Sequence, residues 1–156
     1  MGADSEGPES LTHNQTGIMT KPGVKLAFIL NTASYERVAF ALGVAAAAAA
    51  VGKDVCLLFG NGAAARLKKG LTDEVGEETG GWIRGRIKSG IGKGSVSRIS
   101  EMLADLKKLG AKVYACPAAM DLHNIVFDEL VEEVDEVRSL VRFVSEDIEN
   151  GAVIYV

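Results

Sequence analysis

Two cysteines and two histidines among 156 residues are the side chains able to offer a soft nucleophile or an acid–base group near neutrality. Cys116 is the best placed of them. It ends the run Lys112–Ala115 and precedes Pro117, so it stands where a strand stops and a helical turn starts. Backbone N–H groups and the positive end of a helix dipole at such a junction favour the thiolate. The thiolate is the form that reacts in sulfur transfer, disulfide exchange and acyl transfer. The plainer reading, a packed and inert thiol, is common for cysteine, and position alone does not separate the two. Cys56 lies inside the apolar run Val55–Phe59, where packing is the better reading.

The other candidates are weaker. His123 follows Cys116 by seven residues, two turns if the stretch is helical. It could return the thiol's proton, since its ordinary pKa is near neutral; a helix-surface histidine is the simpler reading. Asp121 reads better as a helix cap than as an acid–base group. Arg138 could hold an anionic sulfur donor such as thiosulfate, against the simpler reading of a solvated surface arginine. His13 reads as a solvated loop residue. Cysteines and histidines are scattered without a close pair, so no metal site is expected. Gly90–Ser95 (GIGKGS) fails as a phosphate loop, because Ile87 occupies the place of the first glycine and Gly94 that of Ser or Thr. Asn31–Ser34 has the hydroxyls of a flavin phosphate loop but no glycine to bring amides close. No cofactor is expected.

Position requires elements. Val24–Leu30 is a nearly continuous apolar run, as in a strand covered on both faces. Ser34 reads as the N-cap of a helix over Tyr35–Val51 that Gly52 stops. Asp54–Phe59 reads as a second strand, followed by a short helix through Ala63–Lys69. Residues 70–94 hold eight of the 18 glycines, which makes a regular element costly. They read as a flexible insertion or flap with a short structured piece near Trp82. A helix follows from Ser95, with Ile99, Met102, Leu103, Leu106 and Leu109 at helical spacing. The remaining expectations are a strand at Lys112–Ala115, a helix at Leu122–Glu133, a strand at Glu136–Arg138, a helix at Leu140–Glu149 and a strand at Ala152–Val156. Such alternation calls for an α/β fold with a parallel sheet of about five strands and helices on both faces. Ligands in such sheets bind beyond the carboxyl ends of the strands. That selects Asn31, Thr32, Gly60 and Asn61 as substrate-binding loop residues beside Cys116.

Composition narrows the class. The chain is 47% hydrophobic with a formal charge of −4, so a packed core is available and no basic field invites nucleic acid. Residues 1–23 are polar and aperiodic and read as a disordered tail. The longest apolar stretch, Val38–Val51, is too short for comfortable membrane insertion. A cytoplasmic location with reduced thiols is expected. The helix containing that stretch is apolar almost all round, which predicts burial in a homo-oligomer, a trimer or higher.

Three segments carry a family likeness: KLAFILNTASYERVAFALGVAAAAAAVGKDVCLLF, then KLGAKVYACPAAMDL, then SEDIENGAVIYV. Together they resemble the DsrE/DsrF-like family, in the branch labelled peroxiredoxin-like or DsrE2/DsrE3-like. The likeness runs from Val24 to Val156. Its most specific element is a cysteine at a strand end followed shortly by Met-Asp, here Cys116, Met120 and Asp121. Ala119 stands where members commonly carry Ser or Thr, so one hydroxyl partner for the sulfur is missing. The resemblance implies a flavodoxin-like three-layer sandwich assembled into homo-oligomers. It also implies sulfane sulfur held on Cys116 as a persulfide or thiosulfonate, exchanged with TusA-like or rhodanese-like carriers. Two other functions stay open: a flavodoxin-like nucleotide or flavin module, and a non-catalytic oligomeric scaffold.

Overall fold

The computed structural model describes residues 24–156, and of the segment before them the backbone pairing of Thr12–His13 with Met19–Thr20. The rest of the expected tail 1–23 lies outside the described residues. The strands are β1 (Lys25–Leu30), β2 (Asp54–Phe59), β3 (Lys112–Ala115), β4 (Glu136–Val137) and β5 (Ala152–Tyr155). They form one five-stranded sheet in the order β4-β3-β2-β1-β5, parallel at every pairing. This is the expected α/β architecture with its mainly parallel sheet.

The two faces of the sheet are covered unequally. Leu26, Phe28 and Leu30 of β1, with Val55, Leu57 and Phe59 of β2, face α1 (Tyr35–Ala50) and α3 (Ile99–Lys108) in the main core. The strand period of two turns Ala27, Ile29, Cys56, Leu58, Tyr114 and Cys116 the other way. Among the described residues, that second face is covered by Phe143 and Ile148. Phe143 is fully buried and meets Tyr114 edge to face, with ring centroids 6.1 Å apart.

Three elements differ from their sequence expectations. The helix after β3 is α4 (Pro117–Leu122), not Leu122–Glu133. Pro117 pre-sets its first turn, and Asn124 at φ +51 ends the chain's helical path; a single 3-10 turn, Phe127–Glu129, follows. The expected helix at Leu140–Glu149 is α5, an α turn at Leu140–Arg142 that widens into a π turn at Phe143–Asp147. Residues 70–94 hold a 13-residue helix, α2 (Gly81–Lys93), far longer than the short piece expected near Trp82. Its buried side is Ile87 and Gly90, and a Cβ at Gly90 would collide with the Val96 side chain. Tertiary packing thus overrides the low helix propensity of glycine.

Residues preceding α2 are fastened to the main body. Arg66 leaves the 3-10 segment Asn61–Leu67 and is 3% exposed. It donates from Nε and Nη2 to the Ala33 carbonyl at 2.9 and 2.6 Å and from Nη1 to the Leu71 carbonyl at 3.2 Å. It also pairs with Glu78. Burial opposes ionisation of Glu78, but the Gly76 amide and the Arg66 guanidinium outweigh it and hold the carboxyl below its ordinary range. Next door, Thr79 Oγ1 accepts the Tyr35 amide at 3.0 Å, capping α1 from a distance of 44 residues in sequence.

Candidate functional site

Cys116 is held by its backbone on both sides. Its amide donates to the Phe59 carbonyl at 3.0 Å, the last rung between β3 and β2. Its own carbonyl accepts the Met120 amide at 3.0 Å, the first bond of α4. The residue is therefore the N-cap of α4, at φ −77 and ψ 124, with Pro117 at the first helical position. Strand period and helix start together aim the side chain to the thinly covered face, where it packs beside Leu58 and Tyr114.

There it opens onto a cleft of about 270 Å³. Ile29, Leu58, Leu140 and Tyr155 form the walls, from β1, β2, α5 and β5. Asn31, Gly60 and Asn61 form the polar end. The Asn61 side-chain amide donates to the Asn31 side-chain oxygen, and the Gly60 amide donates to the Leu30 carbonyl at 2.9 Å. Asn61 takes φ +40, a left-handed conformation that asparagine tolerates. Gly62 is needed for the close approach of this turn to the next loop, since a Cβ there would meet the Ala33 nitrogen at 3.0 Å.

The structure thus brings Cys116, Asn31, Gly60 and Asn61 to one cleft. Thr32 is not part of its lining; its hydroxyl accepts the Ser34 amide at 3.0 Å. His123, at the C-cap of α4, donates from Nε2 to the Asn61 carbonyl at 2.8 Å, so it buttresses the loop. Asp121 is exposed on α4 itself and caps no following helix. Arg138 is not a solvated surface group. It is 9% exposed and donates to Asp147 at 2.5 Å and to Glu136 at 2.7 Å. Those carboxylates occupy the Nη1 and Nη2 edges of the guanidinium that an anionic donor would need.

The second thiol is sealed. Cys56 is 1% exposed, and burial pushes its pKa up to about 11. Burial likewise pushes the Tyr114 phenol up to about 12, the Asp147 carboxylate adding to it and Arg138 opposing it. Among the described residues no group of three or more His, Cys, Asp or Glu could hold a metal. No helix among them is long and apolar enough to cross a membrane.

Sequence reasoning missed the cleft's fourth wall. Tyr155 reaches it because β5 crosses the sheet to pair with β1, with Ile29 opposite Tyr155. Strand order is not written in the local pattern of Ala152–Val156. Leu140 reads as a helix residue in the sequence, but its place in the lining beside Cys116 is set by how α5 packs on the sheet.

Comparison with known proteins bears on the family and the fold. The model of the DsrE/DsrF-like family matches residues 24–147. Among solved structures, the chain is similar to MTH1491 of Methanobacterium thermoautotrophicum, a protein described as of unknown function, at TM-score 0.61 and 17% identity over 85% of this chain and 99% of that one. It is similar to the ychN protein of E. coli at TM-score 0.58 and 19% identity, over the same shares. Likeness at that identity concerns the fold. No curated protein matches the chain.

Proposed function

This chain belongs to the DsrE/DsrF-like family, and from that premise we propose that it is a sulfur-relay protein carrying sulfane sulfur on Cys116 as a persulfide or thiosulfonate. One contrast supports this most. Cys116 is a partly exposed thiol opening onto a cleft, whereas Cys56 is buried with a pKa of about 11. A carrier thiol must be reachable both by a donor and by an acceptor, and its thiolate does the attacking. The cleft at Cys116 is open at the strand ends, where a small TusA-like or rhodanese-like carrier could present its own cysteine. Stoichiometric carriage is enough for this role, and turnover is not required.

Assembly and location follow the same reading. The outer face of α1 exposes Phe40 and Val44, and Val51 at its C-cap continues the apolar stripe. A homo-oligomer, trimer or higher, working in the cytoplasm, would bury that stripe.

The test is mass spectrometry of the intact protein after incubation with polysulfide, a persulfide or tetrathionate. The expected result is added sulfur mass mapping to Cys116, none on Cys56, and loss of the adduct in Cys116→Ser. An adduct on Cys56, or one that persists in Cys116→Ser, would overturn the assignment.

A further inference from the structure

Resting on the reading of Cys116 as the sulfur-carrying thiol, we propose that its cleft selects organic persulfides, R–S–SH with an apolar R group, over the sulfur oxyanions thiosulfate and tetrathionate.

Charge is the first ground. Among the described residues lining the cleft, none is a lysine, arginine or histidine. Its polar side chains are the amides of Asn31 and Asn61, already hydrogen-bonded to each other, and the Tyr155 phenol, none of them a cation. Arg138 is the next residue along the carboxyl edge of the sheet, its amide bonded to the Ala115 carbonyl at 2.9 Å. Its guanidinium is turned to Asp147 and Glu136. His123 gives its Nε2 proton to the Asn61 carbonyl. A dianion entering this space leaves water and meets no side-chain counter-charge, which apolar surroundings penalise heavily. It also approaches a thiolate of its own sign.

Shape is the second ground. Ile29, Leu58, Leu140 and the Tyr155 ring come from four different elements and leave about 270 Å³ between them. An apolar cavity of about 150 Å³ holds a benzene ring. A benzyl-sized R group therefore fits with room for two sulfur atoms. Burying it against these walls supplies the binding that an oxyanion lacks.

The step is a plain displacement. The Cys116 thiolate attacks the outer sulfur of R–S–SH; the donor's S–S bond breaks as a new one forms on Cys116. The products are Cys116–S–SH and R–S⁻, with the charge and the proton conserved and no external oxidant or reductant. The leaving thiolate takes the electron pair out toward solvent at the open strand ends.

Two paired measurements on the full chain test this. The first compares reaction of Cys116 with neutral dithiodipyridine and dianionic dithiobis(nitrobenzoate), each rate normalised to glutathione. The neutral probe should lead by at least about tenfold, a difference of about 1.4 kcal/mol. The second compares sulfur loading from benzyl persulfide and from tetrathionate, where the same order is expected. Leu140→Lys and, separately, Ala118→Lys place a cation at exposed positions of the rim, and each should bring both ratios toward unity. Equal normalised rates in the unmodified protein, or tetrathionate loading as fast as benzyl persulfide, overturn the selectivity and leave Cys116 as the carrier. No adduct on Cys116 from any sulfur donor overturns the carrier reading itself, and the selectivity with it.

Discussion

The guanidinium of Arg138 sits over the ring of Tyr114, with Cζ 4.2 Å from the ring centroid. A cation held on an aromatic face, with two carboxylates at its edges, is a structural cation. Asp147, one of the two, belongs to the π turn of α5 and also takes Lys25 at 3.4 Å. Through this pair the residue that follows β4 grips α5, and α5 supplies both Phe143 to the core and Leu140 to the cleft.

Removing the cation leaves the buried Asp147 carboxylate only Lys25, at 3.4 Å. Arg138→Met should lower stability by about 3–5 kcal/mol, the usual penalty for breaking one side of a buried pair. Urea unfolding at neutral pH gives the number. Alkylation of Cys116 should also quicken as the Leu140 wall loosens. A loss under about 1 kcal/mol, with an unchanged alkylation rate, would show that α5 is held by Phe143 alone.

Cys56 makes stability depend on alkaline pH. An unfolded cysteine loses its proton near about 8.5, whereas burial keeps the folded thiol protonated up to about 11. Between those values the native state binds more protons than the unfolded one, so stability falls as pH rises and then levels off. The loss should be about 3 kcal/mol, and it should vanish in Cys56→Ala. Denaturant unfolding of the two proteins across that window is the check; parallel curves would mean that Cys56 reaches solvent.

Thr79 caps α1 from outside it. Thr79→Val keeps the shape and removes the acceptor for the Tyr35 amide, which should cost about 1–2 kcal/mol. Hydrogen exchange should then speed up at the first turn of α1. Exchange within α2 should exceed that in α3 even in the unmodified protein, because its glycines ease local opening. Equal protection of the two helices would mark 70–94 as a rigid part of the body.

Phe40 is 77% exposed in the single chain. If α1 lies in an oligomer interface, light scattering should give a multiple of 16.4 kDa. Phe40→Asp should drive the mass toward that of one chain, while circular dichroism stays unchanged. A single-chain mass for the unmodified protein at micromolar concentration counts against assembly through this face.

Much of this molecule is legible in its residues, for identifiable reasons. Val24–Leu30 and Asp54–Phe59 are short apolar runs bounded by turn formers, and such runs become buried parallel strands. Cys116 before Pro117 marks a strand end and a helix start at once. Helix α2 was hidden because glycine reads as loop, and what holds it is the burial of Ile87 in the core and the close approach of Val96 to Gly90. Pro117 and Asn124 carry the true bounds of the helical stretch after β3, yet the apolar residues beyond them drew the expected helix too late. The commitment of Arg138 was illegible in a stronger sense. Asp147 lies nine residues away, and only the π turn brings its carboxylate back. Charge spacing cannot report a contact made by an irregular turn.

The pairing of β5 with β1 sets an order of events during synthesis. Ile29 leaves the ribosome 126 residues ahead of Tyr155, its partner, roughly 6–25 s earlier at ordinary elongation rates. Cys116 emerges 39 residues before Tyr155, a lead of about 2–8 s. For that interval the nascent chain carries the Cys116 thiol beside an unpaired β1 edge, with the Ile29 and Leu58 walls made first, Leu140 following 24 residues after Cys116 and Tyr155 coming last. Oxidants and stray disulfides meet the thiol unscreened until translation reaches the last strand.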